Sequence, residues 1–124
     1  MIAVDTSSLV AFFRGDEGDD VELLDQALAL KQAALPPVVL TEVLSDPGLD
    51  PVVADIIRHL PVLEVRSGFW ERSAATRARI LAKRLRARLA DTLIAQNCID
   101  HGTPLITRDG DFRHFAAHAG LELL

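Results

Sequence analysis

The chain has 124 residues, of which 49% are apolar and 25% charged, the size and composition of one compact domain and not of a disordered polymer. A single cysteine, Cys98, excludes an internal disulfide and a cysteine-rich zinc site and predicts a reducing, cytoplasmic setting. The formal net charge of −5 excludes coating of nucleic acid by overall positive charge. Even so, Arg66, Arg72, Arg77, Arg79, Lys83, Arg84, Arg86 and Arg88 lie in one stretch opposed only by Glu71.

Ile2 to Val4 reads as a short strand, and Asp5-Thr6-Ser7-Ser8 offers capping chemistry for a helix carrying Leu9, Phe12 and Phe13. The charge at Asp5 so early in the chain predicts neither a signal peptide nor a membrane span. After an acidic loop, Gly15 to Asp20, helical spacing of Val21, Leu24 and Leu28 predicts a second helix to about Lys31. Pro36 and Pro37 introduce Val38-Val39-Leu40, read as a strand, with Thr41 capping a turn of helix that holds Glu42. Asp50-Pro51 starts a helix to about His59, and Val62 to Val65 reads as a third strand.

From Phe69 the Ala-, Leu- and Arg-rich composition predicts another helix. A further helix with Asp91, Ile94 and Ile99 should stop at Gly102. Leu105-Ile106 is a fourth strand, Thr107 to Asp111 a turn, and Leu121 to Leu124 a fifth strand. The alternation predicts an α/β sandwich around a mainly parallel sheet of four to five short strands, one domain spanning 1–124.

On this reading Asp5, Glu42 and Asp109 each follow a strand, so they project from the carboxyl edge of the sheet, with Asp91 joining from a helix start. Carboxylates gathered in one cleft raise one another's pKa unless a cation neutralises them. Oxygen donors suit Mg²⁺ or Mn²⁺, and such a site can activate a water against a phosphodiester.

Four segments, Ile2-Ala3-Val4-Asp5-Thr6-Ser7, Leu40-Thr41-Glu42-Val43, Ala90-Asp91-Thr92-Leu93-Ile94-Ala95 and Leu105-Ile106-Thr107-Arg108-Asp109-Gly110-Asp111-Phe112, together resemble the PIN-domain ribonucleases. Within them, the chain is similar to the VapC toxins of toxin–antitoxin pairs. The resemblance implies a PIN-like three-layer sandwich and a metal-dependent endoribonuclease with Asp5, Glu42, Asp91 and Asp109 as metal ligands. It implies Ser7 as a support for Asp5, Thr107 as a positioning group, and Asp111 as an outer or alternative ligand. An RNA substrate, a cognate antitoxin and a homodimer also follow from it, and no membrane association is expected. The stretch before Asp91 departs from the family pattern in lacking proline and glycine. Arg77, Arg84 and Arg88 would share a face if 69–88 were one helix, and with Arg108 they are candidates for contact with RNA phosphates.

Blander readings stand beside these. Asp5 and Asp109 can each simply cap a helix, and His114 and His118 lack the glutamate of a zinc-helix motif. His101 suits a helix C-terminus; Cys98, Trp70, Phe12, Phe13 and Phe112 read as core. Rival functions are a phospho-acceptor receiver domain, an aspartyl phosphatase and a catalytically silent PIN-like binding module. The receiver would need an acid after the third strand, where Arg66 stands, and the phosphatase a second acid where Ser7 stands.

Overall fold

The computed structural model describes residues 1–124. Strand β1 (Ile2–Val4) leads through Asp5 into helix α1 (Thr6–Arg14), followed by α2 (Asp19–Ala29) and strand β2 (Ala33–Ala34). Helices α3 (Pro37–Leu44), α4 (Pro51–Arg58), α5 (Phe69–Ala82) and α6 (Leu89–His101) come next, then strand β3 (Leu105–Ile106). A 3-10 turn, Gly110–Phe112, and α7 (Arg113–Ala119) complete the chain.

The sheet is parallel with order β2-β1-β3, Ala3 standing opposite both Ala34 and Leu105. Single parallel bridges, Leu35 to Val62 and Leu105 to Leu123, add one segment at each edge. Successive strand residues point to opposite faces. Ala3 and Val4 are both buried, as are Ala33 with Ala34 and Leu105 with Ile106. Both faces are therefore covered, which makes the three-layer sandwich expected of a parallel sheet.

Chain connections leave β1 toward β2 on one side and reach β3 on the other, so the order reverses at β1. The carboxyl ends of β1 and β3 therefore mark the place where such sheets bind ligands. Asp5 and Thr107 are the first residues past those two ends.

Several expected elements differ. Val38-Val39-Leu40 lies in α3 and not in a strand, because Pro37 takes the first helical position, where a missing N–H costs nothing. Thr41 is inside that helix, its hydroxyl donating to the Pro37 carbonyl. The strands expected at Val62–Val65 and Leu121–Leu124 reduce to their single bridges. Helix α5 ends at Ala82, and Arg84 follows with φ of 60°, so 69–88 is not one helix and Arg77, Arg84 and Arg88 do not share a helical face. Trp70 is 64% exposed and not core. Helix α6 stops at Gly102 as expected, the glycine adopting φ of 59°.

Candidate metal centre

Asp5 caps α1, its Oδ1 accepting from the Ser8 amide at 3.1 Å. The same carboxylate takes the Ser7 hydroxyl at 2.8 Å on Oδ1 and the Thr107 hydroxyl at 2.6 Å on Oδ2. A capping aspartate at a surface helix is usually open to water; this one is 3% exposed. Burial pushes its pKa up, against the lowering effect of Thr107, Ser8 and Ser7, and the charge of Asp109 adds to the rise. Capping and a buried, fully directed carboxylate coexist in one residue.

Asp91, in the first turn of α6, and Asp109 and Asp111, in the turn after β3, each offer a carboxylate oxygen within 4.8 Å of the others. Asp91 has its carboxyl pushed up to about 6, first by burial and then by Asp109, with smaller contributions from Asp111 and Asp5, while Arg88 pulls the other way. The backbone holds the turn in place: Asp109 Oδ1 accepts from the Asp111 amide at 2.9 Å, and the Asp109 amide donates to Thr107 Oγ1 at 3.0 Å. Asp111 also faces Arg86 across 3.6 Å. The donor set is all oxygen, half-buried and mutually repelling, which fits a hard divalent cation such as Mg²⁺ or Mn²⁺ and not a soft one.

The structure thus gathers Asp91, Asp109 and Asp111, with Asp5 close enough for its charge to act on Asp91. Glu42 lies outside that tight group. It is exposed on α3, and its Oε1 accepts from the Thr6 hydroxyl at 2.8 Å, which ties it to the residue after Asp5. Ser7 and Thr107 both donate to Asp5.

The arginines are placed less simply. Arg77 Nε donates to the Ala87 carbonyl at 2.8 Å, Arg84 stands in the left-handed turn after α5, and Arg108 turns away to pair with Asp20. Arg86 pairs with Asp111, and the charge of Arg88 acts on Asp91. Arg86 and Asp20 were not marked by sequence spacing, since neither falls in a periodic or strand-end pattern. Cys98 is buried with its thiol pushed up to about 12, an unreactive packed side chain. His101 Nε2 meets the Glu64 carbonyl at 2.7 Å and so holds the segment before α5.

A doubly covered parallel sheet with a cluster of carboxylates beside its switch point defines the chain as an α/β protein with an acidic site. More specifically, the chain belongs to the PIN domain family, whose profile matches residues 2–118. PIN domains are typically nucleases. No curated protein is similar in sequence. The fold is that of a chain in the VapBC2 complex from Rickettsia felis bound to promoter DNA, with TM-score 0.75, 19% identity and coverage of 100% of this chain and 98% of that one. It is also similar to a chain of the VapBC-5 toxin–antitoxin structure from Mycobacterium tuberculosis, with TM-score 0.71, 23% identity and coverage of 99% and 96%. A chain of FitAcB from Neisseria gonorrhoeae gives TM-score 0.69 at 17% identity, covering 100% and 96%.

Proposed function

We propose that the chain is a metal-dependent endoribonuclease and the toxin of a type II toxin–antitoxin pair, with Asp5, Glu42, Asp91 and Asp109 as its catalytic carboxylates and Asp111 beside them. The observation that carries this is the convergence of Asp91, Asp109 and Asp111 oxygens within 4.8 Å at the carboxyl end of a parallel sheet. The toxin role and the antitoxin partner rest on family membership together with structural likeness to chains of VapBC complexes.

A bound Mg²⁺ or Mn²⁺ would supply Lewis acidity toward the scissile phosphate and make a nearby water more acidic. The chain's own residues prepare that chemistry. Asp5 is fixed by Ser7, Ser8 and Thr107, so its oxygens keep one orientation. Asp91, crowded by Asp109 and Asp111, has its carboxyl pushed up to about 6 in the metal-free chain, so a bound cation would displace its proton and relieve the repulsion. Glu42 accepts from Thr6, the residue after Asp5, and so is a further carboxylate tied to the start of α1. Arg86 and Arg88 border the acids and offer guanidinium groups to the RNA backbone. A cytoplasmic RNA target suits the lone unpaired Cys98, and no helix is long and apolar enough to cross a membrane. The apolar groove of Trp70, Ala74, Leu81, Leu89 and Leu93 supports pairing of two copies as a homodimer.

The test is incubation of the chain, purified free of any partner, with tRNA and rRNA in Mn²⁺, Mg²⁺ or chelator, beside Asp91→Asn. Cleavage confined to the wild type with metal is the expected result. Absence of both cleavage and calorimetric metal binding would leave a silent binding module in its place.

A further inference from the structure

Arg108 lies between Thr107 and Asp109, yet its guanidinium points away from the carboxylates. Nε reaches Asp20 Oδ2 at 2.8 Å, and Nη2 reaches Asp20 Oδ1 at 3.0 Å and the Glu17 carbonyl at 3.1 Å. This is a bidentate fork on a carboxylate, the geometry that fixes an arginine most firmly. Asp20 in turn accepts the Ser8 hydroxyl at 2.7 Å on the oxygen that Arg108 Nε also uses.

The contacts close a ring. The Ser8 amide donates to Asp5, Thr107 donates to Asp5, Arg108 follows Thr107 in the chain, and Arg108 holds Asp20, which holds Ser8. The ring joins the ends of β1 and β3 to the first turns of α1 and α2 and encloses no carboxylate of the Asp91 group. Gly18 permits it. With φ of 150°, a Cβ there would come within 2.5 Å of Asp20 Oδ1 and 3.0 Å of Arg108 Nη2, so a side chain would force the clamp open.

Resting on the metal-centre reading above, we infer that Arg108 and Asp20 are positioning residues: their clamp sets the Thr107 to Asp109 turn against Asp5 and so fixes the spacing of the metal ligands. Arg108 is then not an RNA contact. Groups one step removed from metal ligands act by orientation, and their loss costs affinity for the ion without touching it.

The experiment compares Mn²⁺ binding by calorimetry, urea unfolding, and kcat and KM for RNA in the wild type, Arg108→Gln, Arg108→Lys, Asp20→Asn and Ser8→Ala. Arg108→Gln and Asp20→Asn should weaken Mn²⁺ binding about 10- to 100-fold and lower kcat while KM stays put. Arg108→Lys, which keeps the charge but loses the fork, should fall between. Ser8→Ala removes the hydroxyl link and keeps the amide to Asp5, so it reports on the ring even if the charge variants do not fold. Unchanged Mn²⁺ affinity in folded variants with KM raised would overturn the clamp and make Arg108 a substrate contact. A wild type that binds no Mn²⁺ would instead overturn the metal-centre reading beneath it.

Discussion

Thr107 Oγ1 donates to Asp5 Oδ2 at 2.6 Å, joining the end of β3 to the end of β1 across 102 positions of sequence, and accepts from the Asp109 amide at 3.0 Å. One hydroxyl therefore orients a buried carboxylate and the turn that carries two others. Among the hydrogen bonds that lower the Asp5 pKa, the one from Thr107 is the largest. Thr107→Val keeps the shape and removes both roles. It should destabilise the protein by about 1–2 kcal/mol, the cost of leaving a buried acceptor short of a donor, and raise the Asp5 pKa further. Thr107→Ser should retain most of the wild-type behaviour. Urea unfolding with metal chelated measures the first, and carbon-13 NMR of the carboxyl groups the second.

Glu42 separates activity from stability. It is exposed on α3, and its hydrogen bond is the one from Thr6 at 2.8 Å. Surface substitutions of this kind stay within about 0.5 kcal/mol. Glu42→Gln should therefore melt with the wild type, while RNA cleavage falls about 10²-fold or more, the scale on which a positioned acid or base acts. Retained cleavage would remove Glu42 from the catalytic set and leave the site to Asp5, Asp91, Asp109 and Asp111.

Trp70 is 64% exposed, Leu89 60% and Leu81 45%, and all line one apolar groove formed by α5 and the start of α6. Large apolar side chains grouped in this way mark contact surfaces more often than solvated ones. In the proposed homodimer this groove is the contact. Trp70→Glu should then sediment as a monomer with unchanged circular dichroism, while the wild type sediments as a dimer. Identical sedimentation of the two would remove the groove from the interface.

The ends of β1 and β3 were legible because both are short apolar runs that break on a polar residue, Asp5 in one case and Thr107 in the other. The stop of α6 was legible in Gly102. Strand β2 was not, since Ala33-Ala34 has no β-branched or aromatic residue, whereas Val38-Val39 has the composition of a strand and folds as a helix behind Pro37. That exchange put Glu42 at an imagined strand end; it stands on a helix instead, bonded to Thr6. The break after Ala82 carries no glycine or proline, with Arg84 itself taking positive φ, so the arginine face drawn through Arg77, Arg84 and Arg88 had no local signal against it. Asp20 and Arg108 meet across 88 positions, a pairing that no spacing rule reaches.

Asp91 makes the protein's stability and its metal affinity depend on pH in opposite senses. Its carboxyl stands at about 6 in the folded chain against 3.8 when unperturbed. The folded state therefore binds the proton more tightly than the unfolded state, and the stability this contributes is complete below pH 4 and lost as pH rises through 6. The full shift is discounted because Asp91 is half-buried, which leaves about 1 kcal/mol. Asp20 and Asp100, held below the ordinary range by Arg108 and Arg72, contribute the other way, with stability lost as pH falls below about 4. With metal chelated, Asp91→Asn should raise the urea midpoint at pH 7 and leave it nearly unchanged at pH 4. A cation must displace the Asp91 proton, so wild-type Mn²⁺ affinity should climb between pH 5 and 7, roughly one unit either side of that pKa, and then level off. Calorimetric titrations at three pH values check this, and a flat profile would mean that Asp91 is not among the groups the ion meets.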